Sequence, residues 1–128
     1  MIPKFRAYDS GSLSRMYQPD EVMVGNGNIW IIDEDSVAGE WIVNNDIHLM
    51  QSTGLKDKNG KEIFEGDIVD YKGREAVVKW HGSYASFIYR FVDGLKERVS
   101  EWDPLFLACY NFEVIGNIYE NPELLEVE

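Results

Sequence analysis

The chain has 128 residues, which is enough for one domain or for two small subdomains that bury a sizeable core. Hydrophobic residues make up 45% of it and aromatic residues 13%, and this composition excludes a disordered protein. The formal net charge of −11 excludes non-specific binding to duplex DNA unless basic side chains cluster on one face, because phosphates repel carboxylates.

The cysteine content and the hydropathy pattern bear on the cellular compartment. Cys109 is the only cysteine, so the chain forms no internal disulfide and cannot assemble a thiolate zinc site by itself. Its apolar sequence neighbours predict a buried, inert thiol. The N-terminus lacks an export signal, and no stretch approaches the roughly 18 apolar residues of a membrane span. The sequence therefore predicts a cytoplasmic protein without membrane contact.

Short runs of β-branched and aromatic residues predict strands in the first half of the chain. The pair Asn26-Gly27 separates the first two runs and accepts the positive φ angles of a tight hairpin. We therefore expect a small N-terminal β-sheet. Its predicted strands are residues 21–24, 28–32, 40–43 and 47–50.

The second half carries a richer pattern, in which polar and apolar residues alternate between turn signals such as Lys72-Gly73, His81-Gly82-Ser83 and Asp93-Gly94. Five short strands with regularly spaced turns are typical of a small barrel or a tightly curled sheet. Their order resembles that of SH3-like barrels, which indicates a fold and not a function. The predicted strands are residues 67–71, 74–80, 84–91, 95–99 and 112–119.

Helical signals are few. Asp103-Pro104 predicts a short helix through Ala108, because Asp can cap a helix and Pro is tolerated in its first turn. Asn121-Pro122 predicts one helical turn by the same argument. We expect a mainly β protein, residues 1–128 forming a single unit. Within it, an N-terminal sheet (residues 1–53) packs on a C-terminal SH3-like barrel (residues 54–128), and the junction lies in residues 54–66.

Three segments of the chain resemble the YopX family of phage and prophage proteins. They are KFRAY at residues 4–8, LMQSTGLKDKNGKEIFEGDIV at residues 49–69 and VIGNIYENPEL at residues 114–124. They follow the family's order and frame almost the whole chain, although Ser52 stands where an aromatic residue is expected. The resemblance implies a mainly β fold and a phage or prophage origin. It transfers no activity and no catalytic residues, because the family has no established set.

The central segment also has a physical interpretation. DKNG at residues 57–60 predicts a reversal of the chain. Gly54 and Gly66 permit backbone angles that other residues avoid. We interpret the segment as structural, and the alternative is an exposed hairpin that docks a partner. Its apolar anchors into the barrel are Ile63, Phe64, Ile68 and Val69.

Carboxylates in the sequence were considered as metal ligands. Asp57, Asn59 and Glu62 have the side chains of a calcium loop, but Gly60 comes too early and no bidentate Glu closes the loop. The acidic run at residues 33–35 is interpreted as a solvated loop. We therefore predict no metal site.

Histidines and serines were considered for catalysis. His48 and His81 lack the spacing of a zinc motif. A hydrolase that used Ser83 or Ser86 would need a triad, and the sequence shows no nucleophile elbow. No glycine-rich phosphate-binding motif is present either. We predict a protein without cofactor and without enzymatic activity.

Basic and aromatic residues alternate along the central strands. This pattern would suit single-stranded nucleic acid, but Asp67, Asp70 and Glu75 lie in the same strands and disfavour it. Most of the aromatic side chains are expected in the core. Those that reach the surface would form a candidate partner-binding site, because aromatic and Arg side chains anchor interfaces. Its residues are Tyr71, Arg74, Trp80, Tyr84, Tyr89 and Arg90.

The sequence thus favours a phage or prophage accessory protein that binds an unidentified phage or host protein. The alternatives are a structural homo-oligomer, a single-stranded nucleic-acid binder and an acidic mimic of nucleic acid. The positions of the tryptophans discriminate among them, since an exposed patch with two or more would favour an interface. The four are Trp30, Trp41, Trp80 and Trp102.

Overall fold

A computed structural model of the chain describes residues 4–11, 14–33, 37–82, 85–92, 103–104 and 109–125. It divides the chain into two units, Met1–Gln51 and Ser52–Glu128. The described residues lie mainly in antiparallel β-strands joined by turns and short 3₁₀ segments, which confirms the mainly β prediction. In these ranges no helix is long and apolar enough to cross a membrane.

Among the described residues, six strands begin in the first unit: β1 (Phe5–Asp9), β2 (Arg15–Tyr17), β3 (Val22–Gly25), β4 (Asn28–Ile32), β5 (Trp41–Val43) and β6 (His48–Lys56). β1 pairs with β2 on one side and with the start of β6 on the other. β3, β4 and β5 form a separate sheet in that order. Asn26 and Gly27, in the β3–β4 turn, have φ angles of 53° and 76°, as the hairpin prediction requires.

The core of the first unit lies between these strands. Side chains from β1, β2, β3 and β4 contribute to it, and half-buried residues such as Phe5 and Leu49 pack against them. Each fully buried side chain of this size stabilises the fold by roughly 1.5–3 kcal/mol. The buried cluster consists of Ala7, Tyr17, Val22, Ile31 and Ile47.

β6 continues into the second unit, where it is followed by β7 (Glu62–Phe64), β8 (Asp67–Tyr71), β9 (Arg74–His81), β10 (Ser86–Phe91), β11 (Asp103–Pro104) and β12 (Glu113–Asn117). β7 pairs with the end of β6. The other strands form a five-stranded antiparallel sheet in the order β11-β10-β9-β8-β12. β8 and β9 are joined by the predicted Lys72-Gly73 turn, in which both residues have positive φ.

The core of the second unit is rich in aromatic rings. Phe112 is fully buried and contacts Tyr89 and Tyr71 edge to face, with ring centroids 4.8 and 5.4 Å apart. Cys109 is buried in the same cluster, as predicted for its thiol. Aromatic pairs of this geometry add roughly 0.5–1.5 kcal/mol each beyond the burial of their surface.

Two local predictions differ from the structure or fall outside it. The helix predicted from Asp103-Pro104 is wrong at its start, because these two residues pair with Tyr89 and Ile88 as an edge strand. Proline is tolerated there because an edge residue does not need its N–H for the ladder. The predicted strand at residues 95–99 lies outside the described residues. The turn predicted after Asn121 is confirmed as a 3₁₀ segment, Pro122–Leu125.

Candidate interaction surface

The strands β8, β9 and β10 position the candidate binding residues predicted from the sequence. Tyr84 lies outside the described residues. Residues directly opposite each other in an antiparallel pair lie on the same face, and Trp80 is opposite Phe87 while Val78 is opposite Tyr89. Trp80 and Tyr89 therefore share a face, and Arg90, the next residue along β10, lies on the other face.

The five described candidates do not form one patch. Tyr89 is only 8% exposed and belongs to the aromatic core. Arg74 and Trp80 stand six residues apart on β9, and at a rise of about 3.3 Å per residue this separates them by roughly 20 Å. Trp80 is 46% exposed and packs its ring edge to face on Phe87.

Basic side chains in this sheet lie over aromatic rings of the same chain. The guanidinium carbon of Arg74 is 3.7 Å from the centroid of the Phe91 ring, and Nζ of Lys72 is 5.3 Å from that of Tyr71. Such cation–π contacts stabilise the fold by about 0.5–1 kcal/mol each at exposed sites. Because these rings already have cation partners, they are poor platforms for stacking nucleic-acid bases.

A second surface, which the sequence analysis did not single out, lies on the β3–β4–β5 sheet. The register places Met23, Trp30 and Val43 in one row across the three strands. Trp41 is two residues before Val43 and therefore lies on the same side, diagonal to Trp30. We call these four residues the Trp30 face. Met23, Trp41 and Val43 are 47%, 37% and 44% exposed, and Trp30 is half-buried.

The signal for this face was present in the sequence but incomplete. Alternation along residues 28–32 is weak because every residue after Asn28 is apolar, so the pattern did not show which side faces the core. The structure resolves it through Ile31, which is buried in the first unit's core. By alternation, Trp30 lies on the side of β4 opposite to Ile31.

One contact between a hydroxyl and an imidazole has the form of a catalytic pair. Ser10 Oγ lies 3.0 Å from Nε2 of His48 on an exposed part of the first unit. The serines that the sequence offered for catalysis were Ser83 and Ser86, and Ser83 lies outside the described residues. Acyl transfer also needs an orienting acid and oxyanion donors. The carboxylate of the adjacent Asp9 accepts a hydrogen bond from the Gly11 N–H at 2.8 Å, which ties it into a turn.

The carboxylate of Asp57 organises the central hairpin. Oδ1 accepts hydrogen bonds from the backbone N–H groups of Asn59 and Lys61, at 2.9 and 2.8 Å. Oδ2 accepts one from the N–H of Val114 in β12, at 2.9 Å. The Lys58 N–H donates to the Phe112 carbonyl at 2.9 Å, next to the same junction. The hairpin is thereby fixed to the last strand, which supports the structural interpretation of this segment.

The pKa of Asp57 reflects these contacts. Burial of the side chain pushes the pKa upward, but the donors from Val114, Lys61 and Asn59, together with the charge of Lys61, outweigh it. The result is a pKa below the ordinary 3.8. Burial and then the nearby Glu65 carboxylate raise the pKa of Tyr119. Within the described part of the chain, no group of three or more His, Cys, Asp or Glu side chains is placed to hold a metal ion.

The family model for the YopX protein matches residues 4–126. The chain belongs to the YopX family. It is also similar to protein EF1440 from Enterococcus faecalis, known from a crystal structure, with 32% sequence identity, 98% of this chain and 99% of that chain covered, and a TM-score of 0.60. No curated protein matches the chain.

The C-terminal motif of this YopX-family chain forms a compact turn after β12. The side-chain oxygen of Asn117 accepts hydrogen bonds from the N–H groups of Tyr119 and Glu120, at 3.0 and 2.8 Å. Asn121 Oδ1 accepts one from the Asn117 N–H at 3.2 Å, and the Asn121 N–H donates to the Asn117 carbonyl at 2.9 Å. Asparagine suits both positions because its short amide can bond the backbone nearby.

This turn also explains why residue 116 is a glycine. A Cβ atom at Gly116 would lie 2.5 Å from Asn121 Oδ1 and 2.8 Å from its Cγ. We expect Gly116→Ala to lower the free energy of unfolding by about 1–2 kcal/mol, because the added methyl pushes Asn121 out of its hydrogen bonds. Urea unfolding measures the change. In an Asn121→Gly background the same substitution should cost much less, and an unchanged cost would show that Asn121 is not the obstacle.

Proposed function

We propose that this YopX-family chain is a non-enzymatic binding module that contacts a phage or host protein through the Trp30 face. The observation that carries the proposal is the row of Met23, Trp30 and Val43, with Trp41 beside it, on one side of a three-stranded sheet. Three of these four side chains are well exposed in spite of their apolar character.

The chemistry of this face is that of interface anchors. Tryptophan is among the residues that contribute most at protein interfaces, and methionine is enriched there because its flexible thioether adapts to a partner. A single exposed apolar residue needs no explanation, but neighbouring ones on a regular sheet favour a binding role. Trp80, the other exposed tryptophan among the described residues, packs on Phe87 within its own sheet.

The charge of the chain favours a protein over a nucleic acid as the partner. The net charge is −11, and the segment that forms the three-stranded sheet, residues 19–47, contains no Lys, Arg or His. The acidic residues of this segment would repel phosphates, which disfavours nucleic acid at the Trp30 face. A base-stacking site combines cations with accessible aromatic rings, and the described residues of this sheet supply no cation.

We further infer that residues 54–128 complete an SH3-like barrel. The support is the run of antiparallel hairpin neighbours β10-β9-β8, flanked by β11 and β12 at the two edges. This arrangement would make the second unit a rigid scaffold and is independent of where the partner binds.

A pull-down with matched variants tests the binding role. We expect the double variant Met23→Lys/Val43→Lys to retain at least about tenfold less of a host-cell protein that binds the unmodified chain. The reason is that each buried anchor contributes roughly 1–2 kcal/mol to binding. Tyr110→Lys/Ile115→Lys is the control, because both side chains are exposed and lie in the second unit. Equal retention by both double variants, once each is shown to melt like the parent, would refute the Trp30 face as the binding site.

A mass measurement in solution tests the alternative function, a structural homo-oligomer. If the unmodified chain is a dimer and Met23→Lys/Val43→Lys is a monomer, then the Trp30 face joins two copies of the chain and the partner is the protein itself. A monomeric parent excludes that structural homo-oligomer.

A further inference from the structure

Strand β5 has an open side for hydrogen bonding. The Asp33 N–H donates to the Glu40 carbonyl at 2.7 Å and the Asn44 N–H to the Ile29 carbonyl at 2.9 Å. Hydrogen-bonded and non-hydrogen-bonded pairs alternate along an antiparallel ladder. Ile42, which is opposite Ile31, therefore directs its N–H and C=O toward β4. The N–H and C=O groups of Trp41 and Val43 point to the other side of β5.

That other side of β5 is an edge of the sheet. Among the described residues, the order β3-β4-β5 places no further strand beside β5. All three of its residues are exposed. Natural sheets usually protect such an edge with lysine, proline, a bulge or a covering segment, because an exposed edge can pair with another chain. β5 consists of Trp, Ile and Val and carries none of the protecting residues.

The segment that contains β5, residues 19–47, contributes charge of one sign. Residues 19–47 hold seven acidic residues and no basic one. The hydrogen bond between Asp33 and Glu40 brings two of the acids to the start of β5, and Asp46 follows its end. An approaching basic segment gains from this charge, whereas a second copy of the chain would bring the same acidic residues to this edge. The acids are Asp20, Glu21, Asp33, Glu34, Asp35, Glu40 and Asp46.

We propose that β5 accepts an added antiparallel or parallel strand from a basic segment of the partner protein, in which apolar residues alternate with Lys or Arg. This inference rests on the proposed binding function and specifies its partner. The outward groups of Trp41 and Val43 form the main-chain hydrogen bonds, and the apolar side chains of the added strand extend the Trp30 face by one strand. Strand addition of this kind derives affinity from the main chain and specificity from the alternating side chains.

Amide hydrogen exchange with synthetic peptides tests the inference. The probe is an acetylated nine-residue peptide in which Lys and Val alternate, added to the full chain at low salt. We expect exchange to slow by about tenfold or more at the N–H groups of Trp41 and Val43 and to change little at Ile42, whose N–H already bonds β4. The same peptide with Glu in place of Lys should bind at least about tenfold more weakly, and added salt should reduce the difference.

Two controls isolate the main-chain and charge contributions. Methylation of alternate amide nitrogens in the peptide removes donors from one of its edges and should abolish the new protection. Glu40→Lys should weaken binding of the basic peptide, whereas Glu123→Lys, which changes the net charge equally but lies in the second unit, should have little effect.

The possible outcomes distinguish failure of the strand-addition inference from failure of the proposed binding function. Absence of binding by the basic peptide at millimolar concentration, or equal binding by the Glu peptide, overturns the strand-addition inference. If the pull-down partner still depends on Met23 and Val43 in that case, the proposed function stands without it. Protection of Trp41 and Val43 that rises with protein concentration and needs no peptide would identify a second copy as the added strand, and would also overturn the inference.

Discussion

Asp57→Ala is expected to lower the free energy of unfolding by about 3 kcal/mol, because three backbone donors lose a charged acceptor in a buried place. The donors are the N–H groups of Asn59, Lys61 and Val114, all within 2.9 Å of the carboxylate. Asp57 itself is 5% exposed, so water cannot easily replace it. Urea unfolding followed by tryptophan fluorescence measures the loss.

The pH dependence of this effect identifies its cause. Since the folded state lowers the pKa of Asp57 below 3.8, the carboxylate contributes its stability above that pH and loses it as the pH falls through the lower folded-state value. The difference between the parent and Asp57→Ala should therefore be constant at neutral pH and shrink below about pH 3.8. Asp46→Ala, at an exposed position, is the control and should change stability by less than about 0.5 kcal/mol. A difference that persists unchanged to low pH would contradict the role of the ionised carboxylate.

Phe112→Ala is expected to have the largest effect on stability, a loss of about 4 kcal/mol. The ring is fully buried and contacts Tyr89 and Tyr71 edge to face. Its removal leaves a cavity in the core of the second unit as well as the lost aromatic contacts. Thermal unfolding and urea unfolding should agree on the size of the change.

Two further substitutions, one at residue 110 and one at residue 112 itself, serve as comparisons for this stability loss. Tyr110→Ala removes an aromatic side chain that is 80% exposed and should cost less than about 0.5 kcal/mol. Phe112→Leu keeps most of the apolar volume and should cost about 1–2 kcal/mol. A similar loss for Tyr110→Ala and Phe112→Ala would mean that the core of this unit is not where the structure places it.

The strands that the sequence predicted best are those bounded by local turn chemistry. β4 begins at Asn28 directly after the Asn26-Gly27 pair, and β8 and β9 flank Lys72-Gly73. In each case two residues that accept positive φ define the hairpin, so no distant contact is needed to place it. β1 and β2 were not predicted, because β1 depends on pairing with residues of β6 that lie 40 to 46 positions later.

The candidate site was harder to predict because alternation assigns a face but does not show what covers it. Trp80 and Tyr89 lie on one face of the same sheet, yet one is exposed and the other is buried beneath Phe112. The role of Asp57 was hidden for a similar reason, since its Oδ2 binds a residue 57 positions away. The edge position of β5 follows from the pairing of the described strands, and a sequence pattern does not show which strands pair.

The long reach of Asp57 to Val114 has a consequence for synthesis on the ribosome. Every partner of β1 in the first unit has been made once β6 is complete, so that unit can fold while translation continues. The second unit folds later, because β8 and the central hairpin both bind β12, which is made more than 40 residues after β8. Until β12 is made, the edge of β8 and the carboxylate of Asp57 stay in water. A polypeptide released before residue 113 therefore lacks the strand that completes the second unit.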